Sequence, residues 1–505
     1  MIEVVGSKGP REAAASVFEE ILARHGDDDA LAIVGRAPLT YGALRDEVAD
    51  LAARLREAGA GPGARIGVSA DPGAGYLAAL LAVRAAGATT VLFGTSWTPT
   101  EQRRIFAHAQ PGWILAGGAE PAVGETPVAE EACPPVGGKL YRYAAGEDAP
   151  PSDPGDAVII YTSGTTGSPK GVILTERGLS ANVRAVASYL DLRPSDSTVV
   201  FTPTCYAYAV SQFLTHALAG AAILPMPTYL RFPMAILQGV ATARLTGIAA
   251  NPTSFRMLLG LDVPADWDLS SVRYVMSGGQ FLDARLVARL CERFPRTRVV
   301  NMYGATENGP RISYHWVEDR GADDPARFYP VGRAVDGTRI EIRDDEDRPV
   351  AGPEQVGEVV VAGTSLMRGY WRDPETTAQR IRDGWLHTGD LGFLDPRGEL
   401  VLTGRSSNII NTGNEKVSPE EVERALLEVP GIAEAGVYGR PDPVTGESVC
   451  AKIVVEAGAQ VDLWDVQRHC RLVLSAYKVP REVTIVDALP RTLYGKMDRR
   501  KLKES

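Results

Sequence analysis

The chain has 505 residues, long enough for two or three domains. With 45% hydrophobic and 23% charged residues it has the texture of an ordinary protein with a large core, and its net charge of −10 excludes a nucleic-acid surface, where lysine and arginine dominate. Five scattered cysteines (Cys133, Cys205, Cys291, Cys450 and Cys470) exclude a disulfide framework or a spaced zinc site and fit a reducing compartment.

The first residues, Met1-Ile2-Glu3-Val4-Val5, lack the basic and apolar regions of a signal peptide, so a cytoplasmic location is expected. Residues 10–24 predict a helix, with Pro10 at its start and Gly26 just past its end. Residues 41–57 predict another, whose Leu44, Val48, Leu51, Ala52 and Leu55 form one apolar stripe. The apolar run at 77–92 is interrupted by Arg84 and by glycines, too short and broken to span a bilayer. Strand-like runs at 65–69, 89–93, 198–201, 221–224, 272–276 and 299–302 alternate with helical ones, which predicts α/β layers with largely parallel sheets. Residues 121–156, rich in Pro, Gly, Ala and Glu, read as a long surface connection.

After the apolar strand Ala157-Val158-Ile159-Ile160 comes Tyr161-Thr162-Ser163-Gly164-Thr165-Thr166-Gly167-Ser168-Pro169-Lys170-Gly171. Glycines let backbone N–H groups approach a ligand, hydroxyls add donors, and a lysine supplies compact positive charge. These are the parts of a polyphosphate cradle, although the spacing is not that of a Walker loop. A plain surface turn has the same composition, and the segment alone leaves both readings open.

Asn301-Met302-Tyr303-Gly304-Ala305-Thr306-Glu307 follows a strand; its tyrosine and Gly304 can receive a flat base, and Glu307 offers a hard oxygen to Mg²⁺. Taken alone, the segment reads more readily as a strand-end turn with a solvated glutamate. Residues 339–343 and 356–361 alternate like half-exposed strands, predicting an antiparallel, barrel-like piece. Trp385-Leu386-His387-Thr388-Gly389-Asp390-Leu391-Gly392 sets a carboxylate between glycines, suited to paired ribose hydroxyls or to stabilising its own turn. From Gly404 the texture changes again. Ser418-Pro419-Glu420-Glu421 reads as a capping box, and strands at 435–438 and 451–455 with a helix at 463–475 complete an α+β unit of about 100 residues. Pro490-Arg491-Thr492-Leu493-Tyr494-Gly495-Lys496-Met497 puts a lysine on a glycine-containing loop near the end, where most lysines are merely solvated.

In this order the motifs resemble the adenylate-forming superfamily, which includes acyl- and aryl-CoA synthetases, adenylation domains of peptide synthetases and beetle luciferase. The resemblance runs from Tyr41 to Lys496 and is closest to acyl- and aryl-acid CoA ligases. It implies an N-terminal ATP- and acid-binding domain at 1–404 and a small, mobile C-terminal domain at 405–505 carrying the adenylation lysine. It further implies that Thr162, Ser163, Gly164, Thr165, Thr166, Gly167 and Lys170 wrap the ATP phosphates. By the same resemblance Tyr303 stacks on adenine, with Gly278, Gly279 and Gly304 around the base. Thr306 touches the α-phosphate, Glu307 holds Mg²⁺, and Asp390 and Arg405 take the ribose. Lys496 bridges the substrate carboxylate and the α-phosphate. Ser406-Ser407-Asn408 stands where that family's hinge usually has Asp or Lys, and Gly413 would border the pantetheine path.

The implied reaction makes an acyl-adenylate and pyrophosphate, then passes the acyl group to a thiol, with coenzyme A or phosphopantetheine as acceptor. The acid wall is expected at residues 203–212, 250–253 and 277–279, including Tyr206, Ala207, Tyr208, Ala250 and Ser277. Tyr206 and Tyr208 also fit as core aromatics. No aspartate is present there for an α-ammonium, whose burial beside Cys205 and Ala207 would be costly, so an aryl or small to medium acyl acid is expected. Alternatives are a free-standing enzyme that loads a carrier protein in trans or forms an amide, and a non-catalytic nucleotide-binding protein on the same fold. A monomer or homodimer is expected, without nucleic acid or membrane.

Overall fold

The computed structural model describes residues 15–24, 30–35, 38–144, 150–162, 169–227, 232–318, 329–350, 352–412, 415–491 and 497–504. The chain divides into two compact units. The first comprises Met1–Thr228, Thr306–Pro310 and Thr364–Pro374; the second comprises Tyr229–Ala305, Arg311–Gly363 and Glu375–Ser505.

The first unit is organised by an eight-stranded sheet. Its order is Gly369–Tyr370, Lys170–Thr175, Asp156–Thr162, Thr89–Leu92, Arg65–Ser69, Trp113–Ala116, Gly138–Arg142 and Ala129–Cys133. The central strands pair in parallel and are buried throughout, which explains their continuous apolar runs. Helix Tyr41–Glu57 begins where the Thr40 hydroxyl accepts from Ala43 N–H, and it buries the predicted stripe. The apolar run after residue 73 is a core helix, Ala74–Ala85, with Tyr76 to Val83 all buried. A smaller group of strands, Ser197–Val200, Ala222–Pro225, Leu31–Ile33 and Leu39–Thr40, accompanies the buried helix Ala207–Ala219.

Two expectations need correction here. Residues 121–156 are not a plain connection, because Ala129–Cys133 and Gly138–Arg142 form an antiparallel hairpin through the turn Pro134–Val136. The outer strand exposes four of its five residues, as an edge strand does, so no apolar alternation marks it in the sequence. The predicted helix at 10–24 begins only at Val17 among the described residues, Ala15 and Ser16 preceding it without helical structure; residues 10–14 lie outside the described residues.

In the second unit, Gly247–Ala250, Tyr274–Gly278 and Arg298–Tyr303 run parallel, followed by antiparallel Ser313–Trp316 and Arg333–Ala334. Thr338–Arg343, Gly357–Gly363, Ile381–Arg382, Trp385–Leu394 and Leu400–Arg405 make the antiparallel piece that the alternation predicts. Beyond it, long strands Ile432–Asp442 and Gly446–Val455 pack against helix Pro419–Leu427 around Val422, Leu426, Val437, Val449 and Ile453. The layered α/β class with a C-terminal α+β piece is therefore as expected. The capping box is not. Ser418 precedes the helix, but its hydroxyl donates to the Thr403 carbonyl at 2.8 Å, and Glu421 instead receives Lys478 at 2.6 Å. Among the described residues no helix is long and apolar enough to cross a membrane.

Candidate active site

In the first unit, Thr162 and Lys170 face each other across the two strands that flank residues 163–168. Ser163, Gly164, Thr165, Thr166 and Gly167 lie outside the described residues. Lys170 Nζ sits 5.5 Å from the centre of the Tyr370 ring, which the antiparallel pairing of Tyr370 with Val172 brings alongside. The Tyr370 hydroxyl donates to Glu307 Oε1 at 2.9 Å, while Met367 N–H donates to the Glu307 carbonyl at 2.8 Å. Thr306 and Glu307 share the short turn Thr306–Asn308, whose last carbonyl accepts from Asn182 Nδ2 at 3.2 Å. A cation and a carboxylate are thus fixed around one aromatic ring.

Among the described residues no three His, Cys, Asp or Glu side chains gather into a metal cage. Mg²⁺ in nucleotide sites needs only one or two carboxylates, the phosphates supplying the rest. Glu307 fits that demand with one carboxylate, whose Oε1 accepts from Tyr370. On the expected acid wall, Ala207 is buried and Tyr206 and Tyr208 are half-buried at the start of helix Ala207–Ala219. Burial pushes the Cys205 thiol up to about 12, so it stays protonated at neutral pH and is no acyl acceptor.

The second unit collects Ala250, Ser277, Gly278 and Tyr303 at the carboxyl ends of adjacent parallel strands, where α/β enzymes hold nucleotides. A Cβ on Gly278 would lie 2.9 Å from the Met302 side chain, and Gly279 has φ +81°, so both positions demand glycine. Gly304 follows, exposed. Tyr303 is buried, and its hydroxyl donates to Asp390 Oδ2 at 2.5 Å. Burial, then the Asp390 charge, hold that phenol well above its ordinary value, so it remains a donor. Arg405 Nε meets Asp390 Oδ1 at 2.6 Å, the two residues facing each other across paired strands. Asp390 N–H donates to the Thr388 hydroxyl, which donates to the Val359 carbonyl. Tyr303 and Arg405 thus each hold one oxygen of the Asp390 carboxylate.

Arg491 and Met497 pair across residues 492–496, which include Lys496 and lie outside the described residues, as does Gly413. Arg491 donates to Thr253 Oγ1 at 3.1 Å, on the expected acid wall, and meets Glu434 at 2.6 Å. The turn Ser406–Asn408 leads into a buried ionic cluster. Asn408 Nδ2 donates to Glu420 at 2.8 Å, and Arg499 joins Glu420 at 3.0 Å to Glu423 at 2.8 Å. Burial outweighs the attraction of Arg499 and pushes the Glu423 carboxyl up to about 7. Sequence reasoning missed Tyr370 and the anchoring role of Arg491. The one available signal for Tyr370 was the Gly369-Tyr370-Trp371 run before a turn.

Residues 18–371 match the model of the AMP-binding enzyme family, and residues 421–496 match the AMP-binding enzyme C-terminal domain. A feruloyl-CoA synthase from Amycolatopsis sp is 32% identical over 477 residues, spanning 92% of this chain and 93% of that protein. Among solved structures, ATP-bound MatB from Rhodopseudomonas palustris is 25% identical with a TM-score of 0.82, covering 97% of this chain and 98% of that one. The amide bond synthetase McbA from Marinactinospora thermotolerans is 29% identical with a TM-score of 0.81, covering 97% and 99%. The chain belongs to the AMP-binding enzyme family. It is a ligase of the AMP-forming kind.

Proposed function

We propose that this ligase activates an aryl or small to medium acyl carboxylic acid with ATP and passes the acyl group to the thiol of coenzyme A. In this reading the 162–170 segment and Lys170 hold the phosphates, Thr306 the α-phosphate, and Glu307 Mg²⁺, which would neutralise phosphate charge when bound. Tyr303 with Gly278, Gly279 and Gly304 takes the base. Asp390 and Arg405 take the ribose. Residues 1–404 bind ATP and acid, and residues 405–505 bring Lys496 to the reacting carboxylate and α-phosphate. Nucleotidyl transfer needs positioning and charge neutralisation rather than covalent help from the protein, so this division of labour suffices. Gly413 would border the thiol path. A cytoplasmic monomer or homodimer accords with the composition.

The observation that carries this reading is the hydrogen bond from Arg491 to Thr253. It ties the flank of the lysine segment to the proposed acid wall, five residues before the lysine itself; a mere nucleotide binder has no need of that arrangement. The test is ATP–pyrophosphate exchange over a panel of acids, comparing wild type with Lys496→Ala. The variant should lose at least ~100-fold in adenylation, the scale of one oriented transition-state donor. An undiminished exchange rate would refute the role of Lys496. Likeness to McbA keeps one alternative acceptor in play, an amine giving an amide, beside a carrier-protein thiol supplied in trans. Mass spectrometry of products formed with coenzyme A, a phosphopantetheinylated carrier and simple amines separates them.

A further inference from the structure

Helix Ala207–Ala219 is buried along almost its whole length, yet only one side of it is apolar. Val210, Phe213, Leu214 and Ala217 make that side. Tyr208, Ser211, Gln212, Thr215 and His216 recur at i, i+3, i+4, i+7 and i+8, one continuous polar stripe. His216 Nδ1–H donates to the Gln212 backbone carbonyl at 2.8 Å. The Ser211 hydroxyl, both polar atoms of the Gln212 amide and the Thr215 hydroxyl are shut away from solvent with no hydrogen-bond partner among the described residues. Ser211 and Thr215 are fully buried and Gln212 is 1% exposed. Serine and threonine inside a helix ordinarily bond back to a carbonyl one turn earlier; these two do not. Native interiors leave few such atoms unmet, so a run of them along one helical face calls for a partner that the described chain does not supply.

We propose that Gln212, with Ser211 and Thr215, forms the distal wall of the acid subsite and selects acids whose far end carries a neutral hydrogen-bonding group such as a hydroxyl. The inference rests on the reading of residues 203–212 as part of the acid wall. Its chemistry follows from the donor set. The amide offers two donors and an acceptor, and each hydroxyl can do both, which matches a group able to give and receive. Ser211, Gln212 and Thr215 carry no charge, so a second carboxylate or an ammonium would be buried there without a counter-ion. A bare hydrocarbon tail would leave every one of these atoms unpaired.

The test uses matched acids in which methyl replaces hydroxyl: 3-(4-hydroxyphenyl)propanoate against 3-(4-methylphenyl)propanoate, and 6-hydroxyhexanoate against heptanoate. In ATP–pyrophosphate exchange the wild-type enzyme should favour the hydroxy member of at least one pair by ~10-fold or more in kcat/KM, since sites that bond a hydroxyl discriminate strongly against its absence. Gln212→Leu and Thr215→Val should drive that ratio toward one or below, through KM for the acid, with KM for ATP unmoved. A general packing defect would lower both acids together and leave the ratio alone. Equal use of both members by wild type, or variants that scale both equally, would overturn the inference and assign the stripe to trapped water, while leaving the ligase reading intact. No exchange with any acid would overturn the ligase reading and this inference with it.

Discussion

Glutamine in place of Glu423 gives the sharpest physical test of the C-terminal α+β piece. The carboxyl lies buried beside Arg499, accepts from Val437 N–H at 2.9 Å, and has its pKa moved from an ordinary 4.5 to about 7. At about 1.4 kcal/mol per pH unit, that displacement is worth about 3 kcal/mol. The sign follows from proton counting. Between pH 4.5 and 7 the folded state keeps a proton that the unfolded state has lost. The stabilising contribution is therefore complete below about pH 4.5 and disappears as pH rises through about 7. Glutamine retains the acceptor for Val437 and cannot ionise, so this part of the pH dependence should vanish. Hydrogen exchange of amides in residues 419–442, corrected for intrinsic rates, reads the opening free energy of this piece without assuming that the whole chain unfolds in one step. Wild type should lose up to about 3 kcal/mol of protection from pH 5 to 8, and Glu423→Gln should be nearly flat. Parallel slopes for the two proteins would refute the assignment of the titration to Glu423.

Three further outcomes concern the nucleotide and the lysine segment. Asp390→Asn weakens charge-assisted bonds worth about 1.5–3 kcal/mol, so KM for ATP should rise about 10- to 100-fold in steady-state exchange. Tyr370→Phe removes the bond to Glu307 while keeping the ring beside Lys170; titrating Mg²⁺ should show half-saturation moved upward by about 5-fold, the scale of one hydrogen bond. Arg491→Ala frees Thr253 and Glu434 from their shared guanidinium. It should slow pyrophosphate exchange by about 10-fold while barely changing thiol transfer from preformed acyl-adenylate, and equal loss in both halves would contradict the anchoring role.

Much of this architecture was legible in the residues because burial leaves a periodic trace. Helix Tyr41–Glu57 and strand Arg65–Ser69 fall where their patterns put them. The hairpin at Ala129–Arg142 escaped because a solvent-facing edge strand has no apolar rhythm to read. Ser418 misled for another reason. Its hydroxyl had two available partners, and the Thr403 carbonyl, contributed by a separate strand, could not be foreseen from four local residues. Tyr303, which ends its strand, and Asp390, inside the strand Trp385–Leu394, were singled out as candidates because glycines stand beside them. Tyr370 reaches Glu307 across 63 positions of chain, and no local pattern encodes that meeting.

Arg405 ends its strand on Asp390, and the very next residue begins the turn Ser406–Asn408. Should the C-terminal residues pivot there as proposed, the guanidinium that steadies the Asp390 carboxylate is also the last fixed link before the swivel. Nucleotide affinity and lobe orientation are then reciprocal quantities: whatever factor one orientation adds to ATP binding, bound ATP must return to that orientation. Swapping AMP for ATP would then be a mechanical event as much as a chemical one.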